Sequence, residues 1–229
     1  MKYINGIDAY QDTRNSAITL GKFDGLHLGH ELLVSRVEEH QRQDGVVGIV
    51  FAFDMRPMFE KLNKSYQMLL SNEEKAARLD GRVEYFIDCP FDKQIASMEA
   101  EDFIEKVLVE KFHAKYIVVG TDFHFGHGKR GDYHMLQEYS KKYGFQVDVM
   151  EKKRHEGREI SSTYIKELLA EGKKELADEL LGYEYKKSFD IYPHRGALPL
   201  CASGGGFNQD PLKTERRSCM KLSTQAQPL

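Results

Sequence analysis

An α/β fold built as a doubly wound parallel sheet is what this sequence predicts, and two observations carry that expectation. Strand-like and helix-like segments alternate along most of the chain, and several of the strand-like ones are continuous apolar runs. A continuous run such as Val46 to Phe53 suits a strand covered on both faces, and parallel neighbours need the long crossovers that helices supply. The first strand is expected over Ala17 to Phe23, with a helix from His30 to Gln43. After Val46 to Phe53 come a helix over Asn72 to Leu79 and a short strand over Glu84 to Asp88. Glu99 to Phe112 puts Phe103, Val107 and Leu108 on one helical face, and Tyr116 to Gly120 reads as another buried strand. A helix over Asp132 to Tyr143 and a strand over Phe145 to Met150 follow. Past Ser161, a helix with Ile165, Leu168 and Leu169 on one face leads to a second, Lys173 to Leu181, stopped by Gly182.

At 229 residues, 41% hydrophobic and 30% charged, the chain can bury one main core with an appendage. We place that core domain in residues 1–189 and expect residues 190–229 to be an irregular, poorly ordered tail. Four of the six prolines fall in the tail, with Gly204, Gly205 and Gly206 in a run. A net charge of -3 gives no field for holding a polyanion, so nucleic acid is not an expected partner, while a local phosphate pocket stays open. No apolar run approaches the roughly 18 residues of a membrane span. Polar Asn5 and Asp8 interrupt the start where a secretory signal needs an apolar core, so a cytoplasmic location is expected. Cys89, Cys201 and Cys219 lack the paired spacing of a zinc site or disulfide framework.

In doubly wound sheets ligands settle beyond the carboxyl ends of the strands, which directs attention to the loops after Phe23, Phe53 and Gly120. The first holds Gly21, Lys22, Phe23, Asp24, Gly25, Leu26, His27, Leu28, Gly29 and His30, where a strand ends and a helix begins. Glycines there let a nucleotide approach the backbone, and the helix start offers unpaired N–H groups to phosphate. Imidazoles aimed at a phosphoryl group would stabilise charge on its oxygens in nucleotidyl transfer. A phosphate acceptor is already ionised and needs no general base. The plainer alternative makes His27 and His30 ordinary helix-start residues. Metal ligation is disfavoured, because a catalytic zinc site takes three protein ligands and no third is implied.

A second constellation lies at Ser161, Ser162 and Thr163, directly before a helical pattern, with Lys166 one turn on. Hydroxyls at that place cap helices. Three of them with a lysine also make an anion site suited to the β and γ phosphates of a leaving group. Both readings stay open from sequence.

Together the strings Gly21-Lys22-Phe23-Asp24-Gly25-Leu26-His27-Leu28-Gly29-His30, Val118-Val119-Gly120-Thr121-Asp122-Phe123-His124-Phe125-Gly126 and Ile160-Ser161-Ser162-Thr163 resemble one family. It is the adenylyltransferase module of bacterial bifunctional riboflavin kinase and FMN adenylyltransferase, or FAD synthetase, and the resemblance runs from about Ala17 to Gly182. It implies a Rossmann-like HxGH nucleotidyltransferase fold that joins AMP from ATP to FMN, giving FAD and pyrophosphate, with Mg2+. It would make His27, His30, Ser162, Thr163 and Lys166 catalytic. Gly21, Lys22, Phe23, Asp24, Gly25, Gly29, Gly120 and Ser161 would bind nucleotide. Phe53, Asp122, Phe123 and Phe125 would meet the flavin, although loop aromatics also serve simple packing.

Three departures accompany the resemblance. Where the family usually has Phe-x-Pro-His-Pro, this chain has Phe53-Asp54-Met55-Arg56-Pro57. Where it commonly has Arg-Ile-Arg after Ser-Ser-Thr, this chain has Tyr164-Ile165-Lys166, and lysine lacks the planar fork of arginine. His124 stands where Arg is frequent. Past Gly182 no riboflavin kinase string follows, so kinase activity is expected to be missing and a separate riboflavin kinase to supply FMN. Transfer to another phosphorylated acceptor, or silent binding of flavin and nucleotide, are the alternatives.

Overall fold

A computed structural model describes residues 1–186 and the backbone of 190–192. In chain order the strands are β1 (Lys2–Asn5), β2 (Ser16–Gly21), β3 (Val47–Asp54), β4 (Tyr66–Met68), β5 (Tyr85–Pro90), β6 (Ala114–Gly120), β7 (His124–Phe125), β8 (Gly131–Asp132), β9 (Gln146–Met150), β10 (Arg154–His155), β11 (Arg158–Glu159) and β12 (Asp190–Tyr192). The α-helices are α1 (Leu28–Asp44), α2 (Arg56–Lys61), α3 (Asn72–Leu79), α4 (Lys93–Ala96), α5 (Ala100–Asp102), α6 (Tyr133–Tyr143), α7 (Ser162–Ala170) and α8 (Lys174–Leu181).

Six strands form one parallel sheet in the order β1-β5-β3-β2-β6-β9. The first interior strand, β2, sits between β3 and β6, pairing Ile18 with Ile49 on one side and with Ile117 on the other. From β2 the chain winds first one way and then the other, so the loop after β2 opens at the topological switch point.

Both faces are dry, which explains the unbroken apolar runs. Ile18, Leu20, Ile49, Phe51, Ile117 and Val119 pack towards Phe103, Ile104 and Phe112 and towards Leu136 of α6. Ala17, Val50, Ala52, Phe86 and Val118 pack the other way, against Val34 and Val37 of α1 and Leu79 of α3. Successive strand residues thus point to opposite cores. A third cluster joins Leu69 and Ile160 to Ile165, Leu168, Leu180 and Leu181 of α7 and α8.

The doubly wound expectation holds, with local differences. β1 is an unforeseen edge strand on β5: four residues, mostly exposed, carry too little pattern to be seen. The segment expected as one helix from Glu99 is α-helical over α5 and π-helical over Phe103–Lys111, where Phe112 N–H donates to Val107 O at 3.0 Å. Its apolar spacing fits either bond pattern, so packing rather than sequence decides. The backbone of Asp190–Tyr192 pairs antiparallel with Tyr66–Met68, and these residues belong to a first compact unit, Met1–Gly196. The expected tail from residue 193 onward, with Cys201 and Cys219, lies outside the described residues. Cys89 is buried and free, and burial pushes its thiol up to about 12, so it is an unreactive core residue. No helix among the described residues is long and apolar enough to cross a membrane.

Candidate functional site

The loop from β2 into α1 is strained and tightly held. Phe23 and Leu26 both adopt positive φ, 48° and 41°, although neither is glycine. Such conformations persist where the surroundings over-determine them, often at binding sites. Gly25 lies at φ +87°, and a Cβ there would stand 2.7 Å from Leu69 Cδ1, so both its conformation and its neighbour exclude a side chain. Lys22, just after the strand, is exposed, whereas Phe23 and Asp24 are buried.

His27 is the N-cap of α1, its Nδ1 accepting the Gly29 N–H at 3.2 Å. Because Nδ1 accepts, the neutral ring carries its proton on Nε2. His30 lies one turn on, stacked on His27 with ring centroids 3.8 Å apart, and 5.0 Å from the Phe23 ring. Burial pushes His27 down to about 4, against a smaller opposing pull from Asp24. His30 is held well below its ordinary value by burial, then by His27 and Lys75. Both rings are therefore neutral near pH 7. The Nδ1 of His30 is buried without a hydrogen-bond partner among the described residues.

The serine constellation meets this loop directly. Ser162 Oγ donates to Asp24 O at 2.6 Å, and an added Cβ at Gly29 would lie 3.5 Å from Ile160 O. Lys166 Nζ reaches Asp24 Oδ2 at 2.6 Å and Gln67 O at 2.5 Å, while Asp24 Oδ1 accepts the Leu69 N–H at 2.8 Å. Asp24 is thus a clasp between the histidine loop, the segment after β4 and α7. The Tyr183 hydroxyl adds a bond to Gly25 O at 2.7 Å. Ser161 caps α7 by accepting the Tyr164 N–H, and Thr163 is exposed. The lysine that the sequence offered as a phosphate cation is already engaged with a carboxylate.

On the opposite face of the sheet from Phe23, Phe53 packs edge-on to Phe51 and Phe91, and Phe123 stacks on Phe125 with centroids 5.6 Å apart. Phe53 and Phe123 keep an accessible part, whereas Phe125 is buried against Phe103. Phe125 is therefore a packing residue first. Asp122 is exposed and paired with Lys152 at 2.9 Å, just past Gly120 at the end of β6.

A polar island lies at the ends of β3 and β5; the sequence showed only its Asp54 and Arg56, as a departure from the family, and not its buried Asn72, Lys75 and Asp88. Asp54, Asp88, Asn72 and Lys75 are all buried there. Arg56 grips Asp54 at 2.8 to 2.9 Å and lies 3.8 Å from Asp88. One signal was available: Asn72, Lys75 and Leu79 share the buried face of α3, and two polar residues on a core-facing stripe are unusual.

The family model described as FAD synthetase matches residues 9–164. The chain belongs to the FAD synthetase family. Among curated relatives, bifunctional riboflavin kinase/FMN adenylyltransferases are 34% identical over 185 residues in Buchnera aphidicola and 32% over 189 in Escherichia coli K12. They cover 80% and 81% of this chain, and 59% and 60% of themselves. This FAD synthetase family member therefore spans about 60% of the length of those relatives. A crystal structure described as a macrolide-efflux protein from Streptococcus pneumoniae superposes with a TM-score of 0.70 at 26% identity, over 80% of this chain and 60% of that one. The parallel sheet is consistent with the Rossmann-like nucleotidyltransferase fold expected of an FAD synthetase module.

Proposed function

We propose that this chain is an FMN adenylyltransferase, transferring AMP from ATP to FMN to give FAD and pyrophosphate. The observation that carries this reading is the meeting of the His27–His30 loop with the Ser162 helix start at the sheet's switch point, in a member of the FAD synthetase family.

The triphosphate would lie over the start of α1, whose first N–H groups face no carbonyl of an earlier turn. An oxygen of the FMN phosphate attacks the α-phosphorus, a new P–O–P bond forms, and the bond to pyrophosphate breaks. His27 would donate from Nε2 and His30 from whichever nitrogen faces the phosphate, as neutral donors in a dry site where a hydrogen bond to developing charge is strong. Ser162 and Thr163 would receive the pyrophosphate end. Lys166 would act chiefly by holding Asp24, and the glycines at 21, 25 and 29 by leaving room. Gly120, Asp122, Phe53 and Phe123 would border the flavin. No group of three or more His, Cys, Asp or Glu side chains fit to hold a metal is found among the described residues. Magnesium would arrive as the counter-ion of ATP. FMN would come from a riboflavin kinase, supplied separately from residues 1–189, which we read as one transferase domain.

The test is FAD formation by purified protein given ATP with FMN, and in parallel with riboflavin or other phosphorylated acceptors. FAD and pyrophosphate should appear with FMN alone. Turnover of another phosphorylated acceptor and none of FMN would end the proposal.

A further inference from the structure

The carboxyl ends of β2, β3 and β5 bring together three carboxylates, Asp24, Asp54 and Asp88, each at most 7% exposed. Three cations answer them, but only two do so by direct contact. Asp24 has Lys166 at 2.6 Å and Asp54 has Arg56 at 2.8 Å. The third pair is indirect. Lys75 Nζ, on a side chain belonging to a residue 3% exposed, donates to Asn72 Oδ1 at 3.1 Å, and Asn72 Nδ2 donates to Asp88 Oδ2. The amide of Asn72 thus stands where a water would stand in a solvent-separated ion pair. An ammonium has three donors, and among the described residues Lys75 uses one on a side-chain acceptor; burial lowers its pKa, while Asp24, Asp88 and Asp54, in that order, hold it charged.

Arg56 lies between two of those carboxylates, 2.8 Å from Asp54 and 3.8 Å from Asp88. A small shift of its guanidinium would exchange one for the other. Its backbone N–H also donates to Asp54 Oδ1 at 3.0 Å, and Arg56 has a further partner besides these two, so the negative charge that Asp88 presents is one pull on it among several. The groups facing Asp88 are Tyr3 from β1, whose hydroxyl donates at 3.1 Å, Asp54 from the end of β3, Arg56 from the start of α2, and Asn72 and Lys75 from α3, with Cys89 next in the chain. Tyr3 and Asn72 supply hydrogen bonds and Lys75 the compensating charge, while Asp88 Oδ1 stays buried and unpaired among the described residues. Desolvation and Asp54 raise the Asp88 carboxyl, and Lys75 and Arg56 oppose them.

We propose that Lys75 is a positioning residue, which through Asn72 balances Asp88 and leaves Arg56 with Asp54, fixing the loop after β3 in the orientation that meets the acceptor. This rests on the adenylyltransferase reading, and the wild-type chain separates the two: if it makes no FAD, that reading fails first. Given wild-type activity, Lys75→Met should raise the KM for FMN about tenfold while kcat and the KM for ATP change less than about threefold, the size of one coupling lost in a contacting network. The rise should steepen with pH, because ionised Asp88 is what draws Arg56 away. Lys75→Met with Asp88→Asn removes both members of the indirect pair and should restore the FMN KM and abolish its pH dependence. Flavin fluorescence quenching, which needs no turnover, should report the same order of FMN affinities. Should Lys75→Met be insoluble, the double variant must recover a folded, FMN-binding protein. An unchanged FMN KM in Lys75→Met, an effect confined to ATP or kcat, or a double variant no better than the single one each overturns the proposal.

Discussion

At the amino end of the sheet a cavity of about 340 Å³ is lined by Lys2, Arg14, Gln41, Arg82 and Glu84 among others, whereas the histidine loop and the polar island lie at the carboxyl end. The charges at the amino end are matched near the surface: Arg14 with Asp12 and Glu84 at 2.6 and 2.7 Å, Arg82 with Glu31 and Glu38 at 2.5 and 2.9 Å. Of the residues lining that cavity, Gln41 alone leaves a buried side-chain atom unpaired among the described residues. The carboxyl end instead buries Asp24, Asp54, Asp88 and Lys75, leaves His30 Nδ1 and Asp88 Oδ1 without hydrogen-bond partners among the described residues, and holds Phe23 and Leu26 at positive φ. The amino end has unanswered atoms of its own, Tyr10 Oη, His40 Nδ1 and Gln41 Oε1 among the described residues, and His113 at φ 47°, so what sets the carboxyl end apart is its buried charge.

The largest effect separating the two ends should come from His30→Ala. It should lower kcat for FAD formation by about 100 to 1,000 fold, or roughly 2.7 to 4 kcal/mol, the loss typical of one donor to transition-state charge. The unfolding midpoint should change little, and full activity would remove His30 from the site.

A second contrast is in pH. His27 falls from 6.5 to about 4 on folding, so the native state binds fewer protons than the unfolded chain between those values. Its contribution is complete above 6.5 and declines as pH falls through that window, by on the order of 3 kcal/mol. Urea unfolding from pH 7 to 4 should show this loss in wild type and a shallower slope in His27→Gln. Equal slopes would mean that His27 is not buried neutral.

Lys166→Met probes whether the clasp is structural. Leaving Asp24 buried without its cation should destabilise the ligand-free protein by about 2 to 3 kcal/mol, below the value for a fully buried pair because Lys166 is 23% exposed. A midpoint unchanged without ATP would return Lys166 to a purely phosphate-binding role. At the amino end, Arg14→Ala should cost less than about 1 kcal/mol and leave FAD formation intact, since that arginine is more than half exposed. Loss of activity there would undo the contrast between the two ends.

The doubly wound class and the order of the longer helices could be read from the sequence alone, because they rest on local pattern: strands covered on both faces are uniformly apolar, and the longer helices carry an apolar stripe at helical spacing. The helix expected near Asn72 to Leu79 from its spacing is α3, and the structure adds the Ser71 and Glu74 capping box that starts it. The protonation of the histidines, the capture of Lys166 by Asp24 and the Lys75–Asn72–Asp88 relay were not legible. Each joins residues from 3 to 142 positions apart in the chain, and a side chain's partner and its exposure to water are fixed only when distant strands are laid side by side. Sequence set the chemistry available at the carboxyl edge; the tertiary structure decided which charges are spent on one another and which are left for a ligand.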